Sequence, residues 1–344
     1  MKKSTSIWDK VVFAINLLVA FLLILTGVIS YVPLQFFSAI SVLSLVVPFL
    51  FALNTLLLLY WIARLKRKFL VSFVAILLGY LMFGIFYRFG DSGFAQKKPS
   101  DLSVMSYNVW HFNINGWIRQ PKVGDSIINF IKSKDPDVLL IQEHSRRRYK
   151  QLEQYKYRSE TPHSDRVTQA IFSKYPIVNS GSFDLPNTGN NIIYADVLFK
   201  KDTIRFYNLH LESFKIIPST DNFSDGEKYE KTYKRLVVTF SKQMEQAEIF
   251  RNHLNKSPYR NIVCGDFNNT QFSNVYKIVN EGLQDTFLEK GKGFGRTYDL
   301  WKIPLRIDYI LADPEFEVLS HHNYDERLSD HYPIMATLRL KSHQ

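Results

Sequence analysis

Two long runs without a charged residue constrain this chain more than any other feature of its sequence. Residues 11–63 contain no Asp, Glu, Lys or Arg, and neither do residues 69–87. A hydrocarbon core about 30 Å thick needs about 20 apolar residues of α-helix, so the first run is long enough for two passes and the second for one. Pro33 divides the first run and suits a hairpin. We therefore predict membrane helices at about 11–31, 37–63 and 69–87, with a kink at Pro48.

Two other interpretations of the apolar runs compete with this one. Lys2, Lys3 and Lys10 ahead of an apolar stretch also suit a cleaved signal peptide. However, three apolar segments follow one another, and no small-residue cleavage site ends the first. Buried helices of a soluble core would carry a polar face at some period, and these segments have none. We expect residues 1–89 to form a multi-pass anchor in a lipid bilayer.

The basic residues predict the orientation of this anchor. Three lysines precede the first helix, and four basic residues lie at 64–68, between the second and third helices. The positive-inside rule then puts the N-terminus and the 64–68 loop in the cytoplasm. Because three passes are an odd number, the rest of the chain should lie on the extracytoplasmic side of the cell (inner) membrane.

The net charge of +11 suggests a nucleic-acid partner until its distribution is considered. Residues 1–98 hold ten Lys and Arg against Asp9 and Asp91, which accounts for +8 and leaves +3 for residues 99–344. A charge of +3 is ordinary for a globular domain and identifies no polyanionic partner. The lone cysteine, Cys264, forbids an internal disulfide and says nothing about the compartment.

Residues 90–100 are rich in Gly, Ser and Lys and predict a short tether. A single α/β domain is expected at 101–344, with a strand at 102–109, a helix from 123, and a strand at 138–141. Further strands are expected at 168–173, 193–199, 203–209, 261–264, 306–311 and 334–340. Apolar residues at intervals of three and four predict a long amphipathic helix over 236–254.

Polar residues fall at the ends of these strands, where rigid scaffolds present catalytic groups. The set is Asn108, Glu143, His210, Glu212, Asp266, Asn268, Asp308, Asp330 and His331. Taken singly, an Asn or Asp at such a place is more often a turn or cap residue, and a histidine is more often structural. The order of these residues along the chain, together with the residues beside them, is more informative than any one of them alone.

With GDFN at 265–268 and SDH at 329–331, the chain resembles the endonuclease/exonuclease/phosphatase superfamily, which is deoxyribonuclease I-like. The resemblance covers essentially all of 101–340, including TQAIFSKYPI at 168–177. It implies a four-layer α/β/β/α sandwich behind the three membrane helices. The HLES string at 210–213 looks most like the tyrosyl-DNA phosphodiesterase branch but is too short to choose a substrate.

A phosphate ester repels an attacking hydroxide, so its hydrolysis needs a hard cation on the phosphoryl oxygens. Glu143 is the best candidate ligand, with Asn108 beside it, and Asp330 fits a second metal or water ligand. Carboxylate and amide oxygens on a partly hydrated octahedral ion suit Mg²⁺ or Mn²⁺. We expect one of these two ions as the cofactor.

The resemblance also implies roles for the remaining residues of the set. Asp266 would activate the attacking water, and Asn268 would hold a phosphoryl oxygen. His331 would bind the phosphate or transfer a proton, with Asp308 fixing its tautomer. His210 matches the second acid/base and substrate-contacting histidine of the deoxyribonuclease-like branch.

Some positions depart from the family pattern or stay open. Asn269 stands where the family often has aspartate, and Trp110 replaces an acidic residue of the apurinic endonucleases, which argues against abasic-site cleavage. Arg296 and Tyr298 suit either phosphate binding or packing of their turn. Glu212 suits either a substrate loop or a solvated surface.

Two functions remain in competition. The first is a metal-dependent phosphoester hydrolase acting on nucleic acid or on lipid or inositol phosphates. The second is a membrane-tethered binding module that kept the fold and lost catalysis, which the presence of the whole residue set argues against. No obligate protein partner is evident, and tethering favours substrates near the bilayer.

Overall fold

The computed structural model describes residues 6–31, 38–90, 97–162, 167–183, 185–215, 226–300 and 303–341. Most of the tether expected at 90–100 and the hairpin residue Pro33 lie outside the described residues.

The N-terminal quarter of the chain is helical. It contains α1 (Ile7–Ile29), the single turn α2 (Ser38–Ser41), a 3-10 segment (Val42–Val46), α3 (Val47–Ala63) and α4 (Phe69–Phe83). The irregularity expected at Pro48 falls in the preceding 3-10 segment. Pro48 itself occupies the first turn of α3, where a missing N–H leaves no helical bond unmade.

Two helical segments, Ile7–Ile29 and Ala39–Ala63, are long and apolar enough to cross a membrane. The third differs from the expected 69–87. It has 15 residues and ends at Gly84, whose φ of +76° breaks the helical path. At 1.5 Å per residue it spans about 22 Å, less than the roughly 30 Å of a hydrocarbon core. A third crossing is therefore not confirmed.

The three apolar helices nevertheless pack side by side through their few polar residues. Asn16 Nδ2 on α1 donates to Ser72 Oγ on α4 at 2.6 Å. Asn54 Nδ2 on α3 donates to the α1 carbonyl of Val19 at 3.4 Å. Arg64, in the loop after α3, pairs with Asp9 at the start of α1 at 3.2 Å. The basic loop 64–68 therefore lies at the same end of the bundle as the N-terminus.

The rest of the chain alternates strands and helices. In chain order the elements are β1 (Asp101–Asn108), α5 (Val123–Lys134), β2 (Val138–Gln142), β3 (Tyr157–Glu160), β4 (Ala170–Ser173), β5 (Ile177–Ser182), β6 (Asn191–Phe199), β7 (Asp202–His210), α6 (Gly226–Leu254), β8 (Arg260–Asp266), α7 (Asn274–Asn280), β9 (Gln284–Asp285), α8 (Thr286–Lys290), β10 (Tyr298–Leu300), β11 (Ile303–Leu305), β12 (Asp308–Ala312), β13 (Phe316–Asn323) and β14 (Ile334–Leu340).

These strands form two six-stranded sheets, β13-β14-β1-β2-β4-β3 and β5-β6-β7-β8-β12-β9, and a separate hairpin β10-β11. One apolar cluster lies between the sheets, with Val104 and Leu140 from the first facing Phe206 and Ile262 from the second. α5 covers the outer face of the first sheet, and α6 with α7 covers that of the second. The four-layer α/β/β/α arrangement expected from the sequence is confirmed.

The amphipathic helix expected over 236–254 forms the second half of α6. The apolar residues at intervals of three and four belong to the cluster that packs on the second sheet, namely Leu236, Phe240, Met244, Ala247, Phe250 and Leu254. The strands that the sequence did not reveal are the edge or hairpin strands β3, β5, β9, β10, β11 and β13. Edge strands carry polar residues at both faces, so their apolar alternation is weak.

The α/β domain joins the apolar helices through a loop before α7. The ring of Phe272 lies 4.7 Å from that of Phe86 and 5.7 Å from that of Phe83. Gln271 Nε2 donates to the carbonyl of Ile85 at 3.1 Å. Arg88 and Gly293 exchange two backbone hydrogen bonds. The end of α4 is therefore fixed against the domain.

Gly265 is a point where the fold tolerates only glycine. Its φ is +134°, and a Cβ there would lie 2.0 Å from the carbonyl oxygen of Leu209 on the neighbouring strand. We expect Gly265→Ala to lower the free energy of unfolding of the full chain in detergent by about 3 kcal/mol or more. Gly189→Ala is the control, because a Cβ there meets nothing within 4 Å. Equal denaturant midpoints for the two variants would contradict this account of strand β8.

Candidate active site

The second sheet brings three functional side chains to one edge. β8 runs parallel to β7, in a register that sets Asp266 opposite His210. β12 runs antiparallel to β8 and begins at Asp308, which also pairs with Asp266. The carboxyl ends of β7 and β8 and the start of β12 therefore meet at the same place.

The first sheet contributes from the other layer at the same edge. β1 and β2 are parallel, with Asn108 opposite Gln142, and Glu143 follows directly. Asn108 Nδ2 lies 3.3 Å from Glu143 Oε1 and 3.2 Å from Asp266 Oδ2. One amide thus connects the carboxylates of the two sheets.

Asp266 is the centre of the cluster and has no exposed surface. Its Oδ1 accepts the backbone N–H of Asn268 at 2.8 Å, and its Oδ2 lies 3.7 Å from His210 Nε2 and 3.6 Å from His331 Nε2. Burial raises the pKa of the Asp266 carboxyl to about 6, and Asp308 adds to the rise while the two histidines oppose it. A carboxyl titrating near neutral pH suits proton transfer.

His331 and Asp308 form a buried pair. His331 Nδ1 lies 2.9 Å from Asp308 Oδ2, which leaves Nε2 directed towards Asp266. Burial alone would lower the pKa of the imidazole, but the carboxylates of Asp308, Asp266 and Asp330 together raise it well above its usual range. The ring is therefore held protonated in a fixed orientation.

The remaining expected residues divide into two groups. Asn268, with φ +50°, donates from Nδ2 to the carbonyl of Leu211 at 3.0 Å and borders the same cavity as Asp266 and Asp330. Burial, with Glu143 adding to it, raises the pKa of Asp330. Arg296 instead pairs with Asp325 and Asp299 and lies over the ring of Tyr332.

Arg296 is not among the residues that border the cavity, whereas its neighbour Tyr298 is. The Tyr298 ring lies 5.0 Å from that of His331, so it bears on the site by packing. Glu212 is buried, and its backbone N–H donates to Gln246 Oε1 at 2.9 Å. The solvated-surface interpretation of Glu212 is therefore wrong.

Three further residues position the site, and no sequence pattern predicts them. The buried hydroxyl of Thr297 accepts the backbone N–H groups of Ile307 and Asp308 at 2.9 and 3.0 Å. Ser329 Oγ donates to the carbonyl of Asn108 at 2.8 Å and thereby joins the SDH segment to β1. His111 Nε2 lies 3.5 Å from Glu143 Oε2. Only the folded chain brings these partners together.

Two clusters of acidic side chains could hold a divalent cation. Asp266, Asp308 and His331 each have a ligand atom within 4.8 Å of the others. However, His331 Nδ1 is engaged by Asp308, and both side chains are almost fully buried, whereas Mg²⁺ usually keeps several waters. Glu143 and Asp330 border the cavity beside Asp266, and the crowding of their carboxylates is what a cation would relieve. The donor set therefore fits an ion on the Glu143 side.

The two hydrogen bonds to Thr297 can be tested by an isosteric change. Thr297→Val leaves the buried amides of Ile307 and Asp308 without their acceptor, so we expect a loss of about 2–3 kcal/mol in the free energy of unfolding. Urea denaturation of the full chain in detergent measures it. Thr203→Val, a half-buried threonine of β7, is the control and should change stability by less than about 1 kcal/mol. A Thr297→Val protein as stable as this control would show that the hydroxyl does not hold the start of β12.

Three solved structures share the fold of the α/β domain. A humanized D. rerio TDP2 has a TM-score of 0.54 at 20% identity, over 70% of this chain and 99% of that one. D. rerio TDP2 in complex with a single-strand DNA product has a TM-score of 0.53 at 18% identity, with the same coverage. An endonuclease/exonuclease/phosphatase family protein from Bacteroides thetaiotaomicron has a TM-score of 0.53 at 17% identity, over 72% of this chain and 100% of that one. At these identities the likeness shows the fold alone.

Two family profiles match the chain, one over its apolar N-terminal part and the other over its α/β domain. Residues 9–86 match a domain of unknown function. None of the curated proteins matches the chain. The profile of the Endonuclease/Exonuclease/phosphatase family matches residues 105–331, which is well over half of the chain. On this match, and with the fold that it implies, the chain belongs to the Endonuclease/Exonuclease/phosphatase family.

Proposed function

We propose that this protein is a divalent-metal-dependent hydrolase of phosphoester bonds. The observation that carries the proposal is the convergence of Glu143, His210, Asp266, Asp330 and His331 on one cavity. Three carboxylates beside two imidazoles can bind a cation, accept a proton and donate one within a few ångströms. A catalytically inactive binding module would have no need to bury so many titratable groups together.

Glu143 and Asp330, with Asn108 behind them, would hold Mg²⁺ or Mn²⁺. The bound ion would neutralise charge on the phosphoryl oxygens and so let a nucleophile approach the phosphorus. The carboxylate oxygens of Glu143 face His111 and His210 at 3.5 and 3.8 Å, so both histidines orient this ligand. Such outer partners commonly set the affinity of a metal site.

Asp266 would accept the proton of the attacking water. Its Oδ1 accepts the backbone N–H of Asn268, and its Oδ2, which accepts from Asn108 Nδ2 and faces the two histidines, would act as the base. As the new P–O bond forms and the bond to the leaving oxygen breaks, His331 would give its Nε2 proton to that oxygen. Asp308 stabilises the imidazolium before the transfer and holds its orientation.

Asn268 and His210 would contact the phosphoryl group. Both border the cavity beside Asp266, and donors aimed at developing negative charge stabilise a transition state more than a ground state. Arg296 has no part in this scheme, because its guanidinium is engaged by Asp325 and Asp299.

Nucleic acid is one candidate substrate class, because D. rerio TDP2, which has the same fold, was solved with a single-strand DNA product. Lipid phosphoesters are the other, because the site lies next to apolar helices. A screen of the full chain in detergent with Mn²⁺ against single-stranded DNA, phospholipids and inositol phosphates separates the classes.

We expect hydrolysis to depend on added Mg²⁺ or Mn²⁺ and to stop in EDTA. Glu143→Ala should raise the metal concentration needed for half-maximal rate and be partly rescued by more metal. Asp266→Asn and His331→Ala should lower kcat by about 10²–10⁴-fold at saturating metal, as expected for lost proton transfer. Steady-state kinetics on the substrate found in the screen measure all three.

Asp202→Asn is the matched control for these variants. Asp202 lies at the opposite end of β7 from His210 and is half-exposed. The kcat of the Asp202→Asn variant should therefore stay within about twofold of the wild type. Undiminished turnover in EDTA, or wild-type rates for Asp266→Asn and His331→Ala, would contradict the proposed mechanism.

We also propose that the N-terminal helices anchor the protein in a membrane, with the catalytic domain outside the cytoplasm. Two helices of sufficient length and apolarity support the anchor. A domain outside the cytoplasm also requires a third crossing, which we assign to α4 because it packs beside the other two and runs from the basic loop to the domain. The salt bridge between Arg64 and Asp9 puts the basic loop and the N-terminus on one side, as the positive-inside rule requires.

Reporter fusions test this orientation. Alkaline phosphatase joined after Gln344 should be active, because it folds only outside the cytoplasm, while a fusion after Lys68 should be inactive. Fluorescent-protein fusions at the same two positions should give the opposite pattern. An active phosphatase at Lys68 with an inactive one at Gln344 would reverse the orientation, and equal activity at both would change the number of crossings.

A further inference from the structure

The catalytic side chains share their cavity with the N-terminal apolar segment. The cavity has a volume of about 430 Å³, within the range of small-molecule sites. The cavity is bordered by the carboxylates and imidazoles described above and also by Val42, Leu45, Val46 and Phe49, which belong to the 3-10 segment and the first turn of α3. A phosphoester at the catalytic edge would thus lie beside hydrocarbon.

The rest of the described lining includes five polar residues, Ser213, Lys215, Thr232, Asn269 and Thr270, but the remaining walls are apolar. They come from the first half of α6, from the segment after β7 and from the β10-β11 hairpin, and include Phe214, Tyr229, Tyr233, Leu236, Leu300, Ile303 and Leu305. Four separate parts of the chain therefore supply apolar side chains to one groove. Apolar walls would stabilise a bound hydrocarbon chain but not a small polar headgroup.

The groove continues onto the outer face of α3. Phe49, which borders the cavity, is 54% exposed, and Leu53 and Leu56 are 40% and 63% exposed. Their spacing of four and then three residues puts them on one face of the helix. In a bilayer this face would lie against lipid tails, so a hydrocarbon chain could enter the groove without crossing water.

The charges of the lining do not suit a nucleic-acid strand. Among the described residues that border the cavity, Lys215 is the one lysine or arginine. Tracking a polyanionic backbone needs several cationic contacts, each replacing a counterion. A single phosphoester with an apolar substituent needs only the catalytic groups and a bound cation.

Exposed aromatic rings mark the level at which the domain meets the helices. Phe89 and Phe294 are 87% and 61% exposed, and both rings contact that of Tyr87, which follows α4. Clusters of exposed aromatics at the ends of apolar helices are typical of the membrane–water interface. In a bilayer, the junction between α4 and the domain would therefore lie near the depth of the lipid headgroups.

We propose that the substrate is a membrane lipid phosphoester, whose phosphate binds among the catalytic residues and whose hydrocarbon chain lies in the groove formed by residues 42–49 and 229–236. This inference rests on the proposed hydrolase activity and on the membrane association. It assigns to the N-terminal segment a part in substrate binding as well as in anchoring.

Two esters that differ only in chain length test the proposal. Ethyl p-nitrophenyl phosphate and hexadecyl p-nitrophenyl phosphate release the same chromophore, and kcat/KM is measured for the full chain in fixed detergent with Mn²⁺. We expect the hexadecyl ester to be favoured by about tenfold or more, which corresponds to burying only a few methylenes. Val46→Trp, which narrows the groove, should lower the ratio of the two kcat/KM values by about fivefold or more.

Ile62→Trp is the control, since Ile62 is exposed near the other end of α3 and does not border the cavity, and the ratio for this variant should stay within about twofold of the wild type. A wild-type ratio near one, with the ethyl ester hydrolysed, overturns the lipid proposal and leaves the hydrolase function standing. A single-stranded oligonucleotide cleaved with a higher kcat/KM than the hexadecyl ester overturns it in favour of nucleic acid.

A binding measurement keeps the proposal testable if no ester is hydrolysed, an outcome that would count against the hydrolase function. The probe is an alkyl phosphate with a diazirine at its chain end, added to the full chain in phosphatidylcholine vesicles. Photolabelling should fall on peptides containing 42–49 or 229–236, and Val46→Trp should reduce it. Labelling confined to the outer faces of α1 and α4, with no effect of Val46→Trp, overturns the groove.

Discussion

The position of β8 between β7 and β12 determines where the chemistry takes place. Its last residue, Asp266, is opposite His210 in one direction and Asp308 in the other, and His331 follows from the pairing with Asp308. The other sheet needs only to bring Asn108, whose amide contacts both Glu143 and Asp266, to this row. A slip of one residue in either register would turn these side chains to the opposite face of their sheet.

Burying this much charge costs several kcal/mol per group unless partners compensate it. The burial of Asp266 is compensated by a backbone N–H and a side-chain amide that donate to its carboxylate. A second buried charge, on Arg306, is compensated by an ion pair outside the catalytic cluster. Arg306, just ahead of β12, is buried and pairs with Asp285 at 2.6 Å while donating to Gln271 at 3.0 Å. Gln271 in turn donates to the carbonyl of Ile85. The start of β12 is therefore connected to the end of α4 through two side chains.

The sequence was sufficient for the architecture because short apolar runs mark the central strands of both sheets, such as VLLI at 138–141 and IVC at 262–264. Their ends could be located within a few residues, and with them Asp266, Asp308 and His331. Edge strands such as β13, which mixes Glu317 and His321 with apolar residues, lack that periodicity.

Contacts between residues far apart in the chain could not be predicted from the sequence, for a different reason. The acceptor role of Thr297 depends on amides ten and eleven residues away, and the pairing of Arg296 with Asp325 spans 29 residues. Neither separation has a local signature. The third apolar helix ended early because Gly84 adopts a left-handed backbone, which composition alone does not report.

The packing of Phe272 against Phe83 and Phe86 has a kinetic consequence. If α1, α3 and α4 lie in a bilayer, the catalytic edge cannot rise away from the surface to sample the bulk solution. Encounter then becomes a two-dimensional search within one leaflet. The rate would follow the mole fraction of substrate in that leaflet, so diluting the substrate with inert lipid would slow the reaction even at constant total concentration.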